Sequence, residues 1–167
     1  MKKIFATLFA LSLISTAQSE NYYSASATKF ELDGGDASLD YKAITGTYGS
    51  VMSDNMSGEF RLGIGIGDDS LVDSFGDTIT SEIDYYYGAY LKFNSESGQI
   101  KPYAIIGFTK FEVSVVDSSI GEKESGSEDD FSYGLGIDFE NGLNLEYMQY
   151  YDKDGAEING LSLGMKF

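Results

Sequence analysis

The residues that could carry out chemistry in this chain are carboxylates and hydroxyls, without the bases that usually activate them. The 167 residues include no His and no Cys. The absence of His excludes Ser–His nucleophilic sites and His-ligated metal sites, and the absence of Cys excludes disulfides and thiolate chemistry. A hydrolase with two catalytic carboxylates is formally open, but no pattern places two acids in a common pocket. The sequence therefore predicts no enzyme, no catalytic residue and no cofactor.

Acidic side chains gather in three segments. Residues 68–84 contain six acids and no base, residues 117–130 contain six acids and one base, and Asp152, Asp154 and Glu157 follow. Clustered carboxylates attract Ca²⁺ and Mg²⁺, but Asp152-Lys153-Asp154-Gly155 is only a fragment of an EF-hand loop. We predict no built metal site and a surface that divalent cations bridge loosely. The formal charge of −16 also argues against nucleic acid as a partner.

The first 19 residues have the pattern of a secretory signal peptide. Lys2 and Lys3 precede the short apolar run Ile4–Ile14, and Ala17-Gln18-Ser19 places small residues at the −3 and −1 positions of a cleavage site. The run is shorter than the roughly 20 residues of a membrane-spanning helix. We expect an exported protein with a signal peptide over 1–19 and one domain over 20–167.

From residue 22 onward, apolar residues recur at every second position, which is the period of a β-strand. Phe60, Leu62 and Ile64, for example, alternate with Arg61 and small residues. Four runs alternate regularly: Gly58–Gly67, Ile83–Asn94, Asp129–Glu140 and Gly160–Phe167. Four others alternate less regularly: Leu143–Tyr151, Ile100–Val116, Tyr41–Met52 and Tyr22–Leu32.

Short and long connections alternate between these eight predicted strands. Ser53-Asp54-Asn55, residues 95–99 and Asn141-Gly142 are short, whereas residues 33–40, 68–82 and 117–128 are longer, with residues 153–157 as a shorter fourth. Tight turns at one rim and longer loops at the other are typical of an up-and-down membrane barrel. The predicted fold class is all-β, an eight-stranded antiparallel up-and-down transmembrane β-barrel.

The two faces of the predicted strands differ in a way that favours a membrane barrel over a soluble one. One face is apolar and suits lipid, and it includes Ile83 and Tyr151. The other face carries Gly, Ser, Tyr and isolated charges, which suit a narrow lumen. We predict that the isolated charges form a salt-bridge network that fills the lumen, with a gated ion path as the alternative. The predicted members are Glu59, Arg61, Lys92, Lys110, Glu112, Glu146 and Lys166. Asp84 and Asp138 are predicted to join the network near the rims.

The strand Ile100–Val116 does not follow this rule cleanly. Its charged residues predict that Tyr103, Ile105, Phe111, Val113 and Val115 face lipid and that Lys110, Glu112 and Ser114 face the lumen. Ile106 and Phe108 break that alternation.

Aromatic residues recur at the ends of three strands. Phe93, Phe139 and Phe167 each follow an apolar residue and a charged one, and this recurrence predicts an aromatic girdle at the periplasmic interface. Tyr85, Phe131, Tyr147, Tyr151 and Phe111 are predicted to form the second girdle.

With these features the chain resembles the small eight-stranded outer-membrane barrels, such as the transmembrane domain of OmpA and OmpX. The resemblance rests on Lys101-Pro102-Tyr103 after a turn, on the run from Phe131 to Gly136, and on the terminal run from Leu161 to Phe167. It implies periplasmic termini, external loops and recognition of Phe167 by the barrel assembly machinery. The peptidoglycan-binding domain of full-length OmpA has no counterpart here.

These observations lead us to expect a monomeric barrel in the outer membrane of a Gram-negative bacterium. Its expected role is structural, with surface contacts through acidic loops and with outer-membrane lipid and lipopolysaccharide as partners. A narrow porin-like channel for ions or small solutes and a secreted, lipocalin-like binding barrel are the alternatives.

Overall fold

The computed structural model describes residues 20–34, 38–72, 78–95, 98–117, 123–153 and 155–167. The predicted signal peptide and Asp154 lie outside these residues. The described residues form nine strands: β1 Asn21–Asp33, β2 Ser38–Ser53, β3 Met56–Gly65, β4 Asp68–Val72, β5 Thr78–Asn94, β6 Ile100–Asp117, β7 Lys123–Phe139, β8 Leu143–Lys153 and β9 Ala156–Lys166.

The strands close into an eight-stranded antiparallel barrel, as the sequence predicted. β3 and β4 both pair with β5 and are two segments of one barrel strand, interrupted at Ile66-Gly67, where Gly67 has a φ of +102°. β1 pairs with β9 to close the sheet, and Tyr23 and Phe167 exchange two backbone hydrogen bonds of 3.2 and 2.9 Å at this seam. Closure pairs the backbone groups that a flat sheet would leave open at its edges.

The two ends of the barrel differ. We call the end with residues 20 and 167 and the turns at 54–55 and 140–142 the turn end, and the opposite end the loop end. Several predicted loop residues lie in strands, because β2, β4, β5 and β7 extend into the segments predicted as loops. The acidic composition of these segments hid their strand character, since charged residues are rare in strands that face a core or lipid.

Apolar side chains cover the outside of the barrel over most of its height. We call this surface the apolar belt, and its exposed large residues include Ile44, Phe60, Leu62, Ile64, Phe108, Phe131, Leu135, Tyr147, Leu161, Leu163 and Met165. A soluble barrel places its apolar residues inside, so an apolar belt of this extent fits lipid.

The facing predicted for β6 was wrong over most of the strand. Tyr103, Ile105 and Phe111 are buried inside, whereas Ile106 and Phe108 are 38 % and 65 % exposed on the belt. Both faces of this strand are apolar, so the alternation gave no polar face to point inward, and the charged residues near its end were misleading. Phe111 therefore does not belong to an outer girdle.

Two bulges explain two further errors. Ile83 and Tyr151 were predicted on the outer face, but both are buried. The register shifts between Ile83 and Tyr85 in β5 and between Gln149 and Tyr151 in β8. A bulge adds one residue to a strand and reverses the alternation beyond it, so the pattern fails on the loop side of each bulge.

At two places near the loop end, which we call slits, the ladder pairing ends before the strands do, although one backbone hydrogen bond, from Ile66 N–H to the Lys42 carbonyl, follows the β2–β3 ladder at 2.7 Å. The β2–β3 ladder stops at Ala43 and Gly65, and the β7–β8 ladder stops at Tyr133 and Gln149, although all these strands except β3 continue. Side chains bridge both slits. The carboxylate of Asp69 accepts hydrogen bonds from the backbone N–H groups of Asp40 and Ser70, both 2.8 Å.

The second slit is bridged in the same way. The carboxylate of Asp130 accepts from the backbone N–H groups of Phe131 and Asp152 at 2.8 and 3.1 Å, and the Lys153 ammonium lies 2.8 Å from it. We call Asp69 and Asp130 the slit clasps. They hold the loop end together where the backbone ladders have ended.

Candidate functional site

The barrel interior contains a buried ion network centred on Arg61. Arg61 and Glu59 project from the same face of β3, and the Arg61 Nη2 lies 2.6 Å from Glu59 Oε2. Across the lumen, Nη1 and Nη2 donate to the two oxygens of Glu146 on β8 at 2.5 and 2.9 Å. The planar guanidinium therefore binds carboxylates on two walls at once, a geometry that a Lys ammonium does not reproduce.

Lys92 on β5 extends the ion network toward the turn end. Its Nζ lies 2.7 Å from Asp138 Oδ2, 3.9 Å from Glu59 Oε1 and 3.7 Å from the centroid of the Tyr103 ring. The ion network thus contains three acids and two bases. Lys166 supplies a third base at the turn-end mouth, where its Nζ lies 3.8 Å from the Tyr22 ring centroid. The charges in this part of the interior balance, as buried charges must.

Two tyrosines complete the hydrogen bonding of the buried acids. Tyr22 donates to Glu59 at 2.6 Å, and Tyr103 donates to Glu146 at 2.9 Å. Each ring lies flat against a glycine on the neighbouring strand. A Cβ on Gly49 would lie 2.1 Å from Tyr22 Cζ, and one on Gly136 would lie 2.2 Å from Tyr103 Cζ. Only glycine leaves room for these rings against the wall.

A layer of aromatic rings is packed in the interior on the loop side of the ion network. We call Phe30, Tyr86, Phe111 and Tyr150 the aromatic layer. Their ring centroids lie 5.2 to 6.1 Å apart, in mostly edge-to-face pairs. All four side chains are at most 1 % exposed. Edge-to-face packing of this kind stabilises a core beyond the area it buries.

Buried hydroxyl groups in the interior are linked to one another. Tyr90 bonds Thr109 at 2.6 Å, Thr109 bonds Ser132 at 2.6 Å, and Ser132 donates to the Tyr150 carbonyl at 3.2 Å. Tyr86 bonds Thr45 on β2. These pairs satisfy groups that would be costly to bury alone, so the aromatic layer is fixed on several walls.

Little space is left among these side chains. The cavity beside the ion network has a volume of about 10 Å³, which is room for about one water molecule. Its wall includes Tyr22, Glu59, Arg61, Lys92 and Glu146. Among the described residues, no three carboxylates are close enough together to hold a metal ion.

Most of the predicted lumen residues lie together, but two do not. Glu59, Arg61, Lys92 and Glu146 form the ion network with Asp138, and Lys166 lies at its mouth. Lys110 and Glu112 were placed wrongly: they bind each other at 2.6 Å on the outer face of β6, opposite Tyr87 and Tyr85. The cause is the inverted facing of β6.

The remaining predicted residues lie near the rims. Asp84 accepts a hydrogen bond from Ser114 at 2.5 Å near the loop end, away from the ion network. Phe93 and Phe167 are exposed on the outer face at the turn end, and Phe139 is half-buried there.

Sequence reasoning missed the aromatic layer and the tyrosines that bond the acids. A signal for the tyrosines was present, because Tyr22 and Tyr103 lie directly opposite Gly49 and Gly136 on the neighbouring strands. An aromatic residue paired with glycine on the lumen side predicts a ring lying across the wall. Phe111 gave no such signal, since its strand is apolar on both faces.

No helix among the described residues is both long and apolar enough to span a bilayer. The closed barrel, its outer belt of lipid-facing side chains and its packed polar interior define a transmembrane β-barrel.

Comparison with known families agrees with this class. Residues 4–167 match the family described as outer membrane protein beta-barrel domain, and the chain belongs to that family. Membership places the protein in the outer membrane of a Gram-negative bacterium. Comparison with curated proteins gives no match.

Solved structures show the same fold at low sequence identity. Neisserial surface protein A is 14 % identical with a TM-score of 0.66, over 89 % of this chain and 97 % of its own. The attachment invasion locus protein Ail of Yersinia pestis is 16 % identical with a TM-score of 0.60, over 90 % of this chain and 99 % of its own. The N-terminal barrel domain of Pseudomonas aeruginosa OprF is 16 % identical with a TM-score of 0.50, over 90 % of this chain and all of its own.

Proposed function

We propose that this protein is a non-conducting, non-catalytic barrel that stabilises the outer membrane and presents an acidic surface to the outside. The aromatic layer carries the proposal. A water-wide path across the barrel would wet the side chains it passes, but Phe30, Tyr86, Phe111 and Tyr150 are at most 1 % exposed. The interior therefore acts as a plug, and its buried acids are occupied by Arg61 and Lys92.

Planar-bilayer recordings test the plug. We expect no steady conductance from the wild-type barrel. Phe111→Ala removes a ring from the aromatic layer, and we expect it to introduce small conductance events. Phe108→Ala, three residues away on the same strand and 65 % exposed on the belt, is the matched control and should remain silent. Steady wild-type channels would refute the plug and favour the narrow pore.

The acidic surface is proposed to lie outside the cell. In support, the described parts of the acid-rich segments 68–84 and 117–130 lie at the loop end, whereas residues 20 and 167 and the described turns at 54–55 and 140–142 lie at the turn end. Protease applied to intact cells should cut at the loop end only. Cleavage at the turn end in intact cells would reverse the proposed orientation. Detergent-dependent extraction would separate this function from that of a secreted binding barrel, which should be released without detergent.

We further propose that Phe167 is the signal for the barrel assembly machinery and that Phe93 and Phe139 join it in a periplasmic girdle. The exposed ring of Phe167 and its place at the β1–β9 seam support this role. Deleting Phe167 should slow membrane assembly in cells more strongly than Phe93→Ala. Equal assembly rates for the two variants would contradict the assignment.

The remaining proposals concern export and partners. Residues 1–19 act as a signal peptide, the barrel is a monomer, and its partners are outer-membrane lipid and lipopolysaccharide. Loosely bound divalent cations screen the acidic segments. One structure of Ail is a complex with the heparin analogue sucrose octasulfate. At 16 % identity the likeness to Ail shows the fold alone, so we do not extend that ligand to this chain.

A further inference from the structure

The outer face of the β1–β2 hairpin changes character in steps toward the loop end. Along this face, Ala27 lies opposite Ile44, Lys29 lies opposite Lys42, and one step further Glu31 lies opposite Asp40. The hairpin thus has an apolar band, a basic band and an acidic band in that order. The basic band lies directly above the apolar belt.

Like charges that lie directly opposite each other in a sheet destabilise it. Asp40 reduces the repulsion at Lys29, because its carboxylate lies 2.8 Å from the Lys29 Nζ. Lys42 is exposed, and within the part of the chain that the structure describes it has no ion-pair partner. Lys42 therefore presents an ammonium group without a described carboxylate in ion-pair contact at the border of the belt. An anion bound between the two lysines would remove the repulsion.

Two other lysines of the loop-end half of the barrel are in ion pairs. Lys110 lies 2.6 Å from Glu112, and Lys153 lies 2.8 Å from Asp130. At the Lys29–Lys42 pair, an ammonium group without an ion-pair partner among the described residues meets the apolar belt. Leu161 lies opposite Lys29 on β9, exposed on the belt. A ligand that used both features would need an anionic head and an apolar tail.

We propose that Lys29 and Lys42 bind a phosphate group of an anionic glycolipid of the outer leaflet, and that Leu161 and Ile44 contact its acyl chains. The assignment rests on the proposed orientation, which puts the loop end outside. The basic band then lies at the level of the lipid phosphates, and the acidic band projects into the aqueous layer above them. This contact would fix the depth of the barrel on the β1–β2 side.

Native mass spectrometry of the full barrel in detergent tests the site with three probes: bis-phosphorylated lipid A, the same lipid without phosphates, and inorganic phosphate. We expect Lys42→Gln and Lys29→Gln each to weaken binding of the phosphorylated lipid about fivefold, because one lysine near an anionic surface contributes about 1 kcal/mol. Lys42→Arg should retain binding. Lys101→Gln, exposed near the turn end, is the matched control and should bind like the wild type.

Several results would overturn the site: unchanged binding by the two Gln variants, an equal loss in Lys101→Gln, equal binding of the lipid without phosphates, or equally tight binding of inorganic phosphate alone. Heat-modifiable gel migration of every variant shows that each barrel is folded. The proposed function fails separately, through wild-type conductance or cleavage at the turn end in intact cells. A silent, correctly oriented barrel with unchanged lipid binding would contradict the lysine site alone.

Discussion

Replacing Arg61 by Met tests whether the ion network holds the barrel interior together. In the wild type, Arg61 makes four hydrogen bonds of 2.5 to 2.9 Å to Glu59 and Glu146. Its side chain and both carboxylates are at most 8 % exposed. Methionine fills much of the space but leaves two buried carboxylates without their common partner. Breaking a buried ion pair in this way costs about 3–5 kcal/mol.

The outer pair of Lys110 and Glu112 provides the matched comparison. Its N–O distance is 2.6 Å, similar to those of Arg61, but its side chains are 34 % and 23 % exposed. An ion pair open to solvent contributes about 0–1 kcal/mol. Lys110→Met should therefore reduce the free energy of unfolding far less than Arg61→Met, although both variants remove one positive charge that lies within 2.6 Å of a carboxylate.

Urea titration of the folded barrel in lipid bilayers, followed by the loss of compact gel migration, measures both values. A second variant, Arg61→Met with Glu146→Gln, removes one of the stranded charges. It should recover part of the loss, because Glu59 keeps Tyr22 at 2.6 Å and Lys92 at 3.9 Å. If Arg61→Met and Lys110→Met cost the same, or the double variant is less stable than the single one, the interior charges are hydrated and the packed network is refuted.

Two further outcomes are expected. Gly136→Ala should destabilise the barrel by about 1–3 kcal/mol, because the new Cβ would lie 2.2 Å from the Tyr103 ring. Gly126→Ala, whose Cβ would have nothing within 4 Å, should leave the free energy of unfolding unchanged in the same urea titration. Equal effects of the two variants would contradict the close packing. The backbone N–H groups of Asp40 and Ser70 lower the pKa of Asp69, so its clasp should be complete above the ordinary Asp pKa of about 3.9 and be lost as the pH falls through the lowered value. Hydrogen exchange of the Asp40 amide checks this. In the wild type, protection of that amide should be lost in that acid range, whereas Asp69→Ala should show no such loss because its clasp is already absent. If the difference in exchange between the two proteins does not change with pH, the reasoning is contradicted.

The sequence predicted the barrel correctly because lipid and lumen impose opposite chemistry on alternate residues. Phe60 and Arg61 could be assigned to opposite faces from their types alone. The same rule assigned Glu59, Lys92 and Glu146 to the lumen together with Arg61. The same rule failed for Phe111, because a narrow interior that is packed like a protein core accepts aromatic rings as readily as lipid does. Local alternation also carries no signal for a bulge, so Ile83 and Tyr151 were assigned to the wrong face.

The slits show why the loop segments were the hardest part to predict. On the turn-end side of the slits, backbone ladders hold each strand, and the side chains alternate between lipid and lumen. Above them, the clasp carboxylates of Asp69 and Asp130 replace ladder bonds between β2 and β4 and between β7 and β8. Acidic residues there are structural as well as solvated, which a count of charges does not reveal. Asp69 joins its strands through backbone amides, whereas Asp130 also binds the Lys153 ammonium. The loop end is therefore held by a few side-chain contacts, which the alternation of residues along a strand cannot predict.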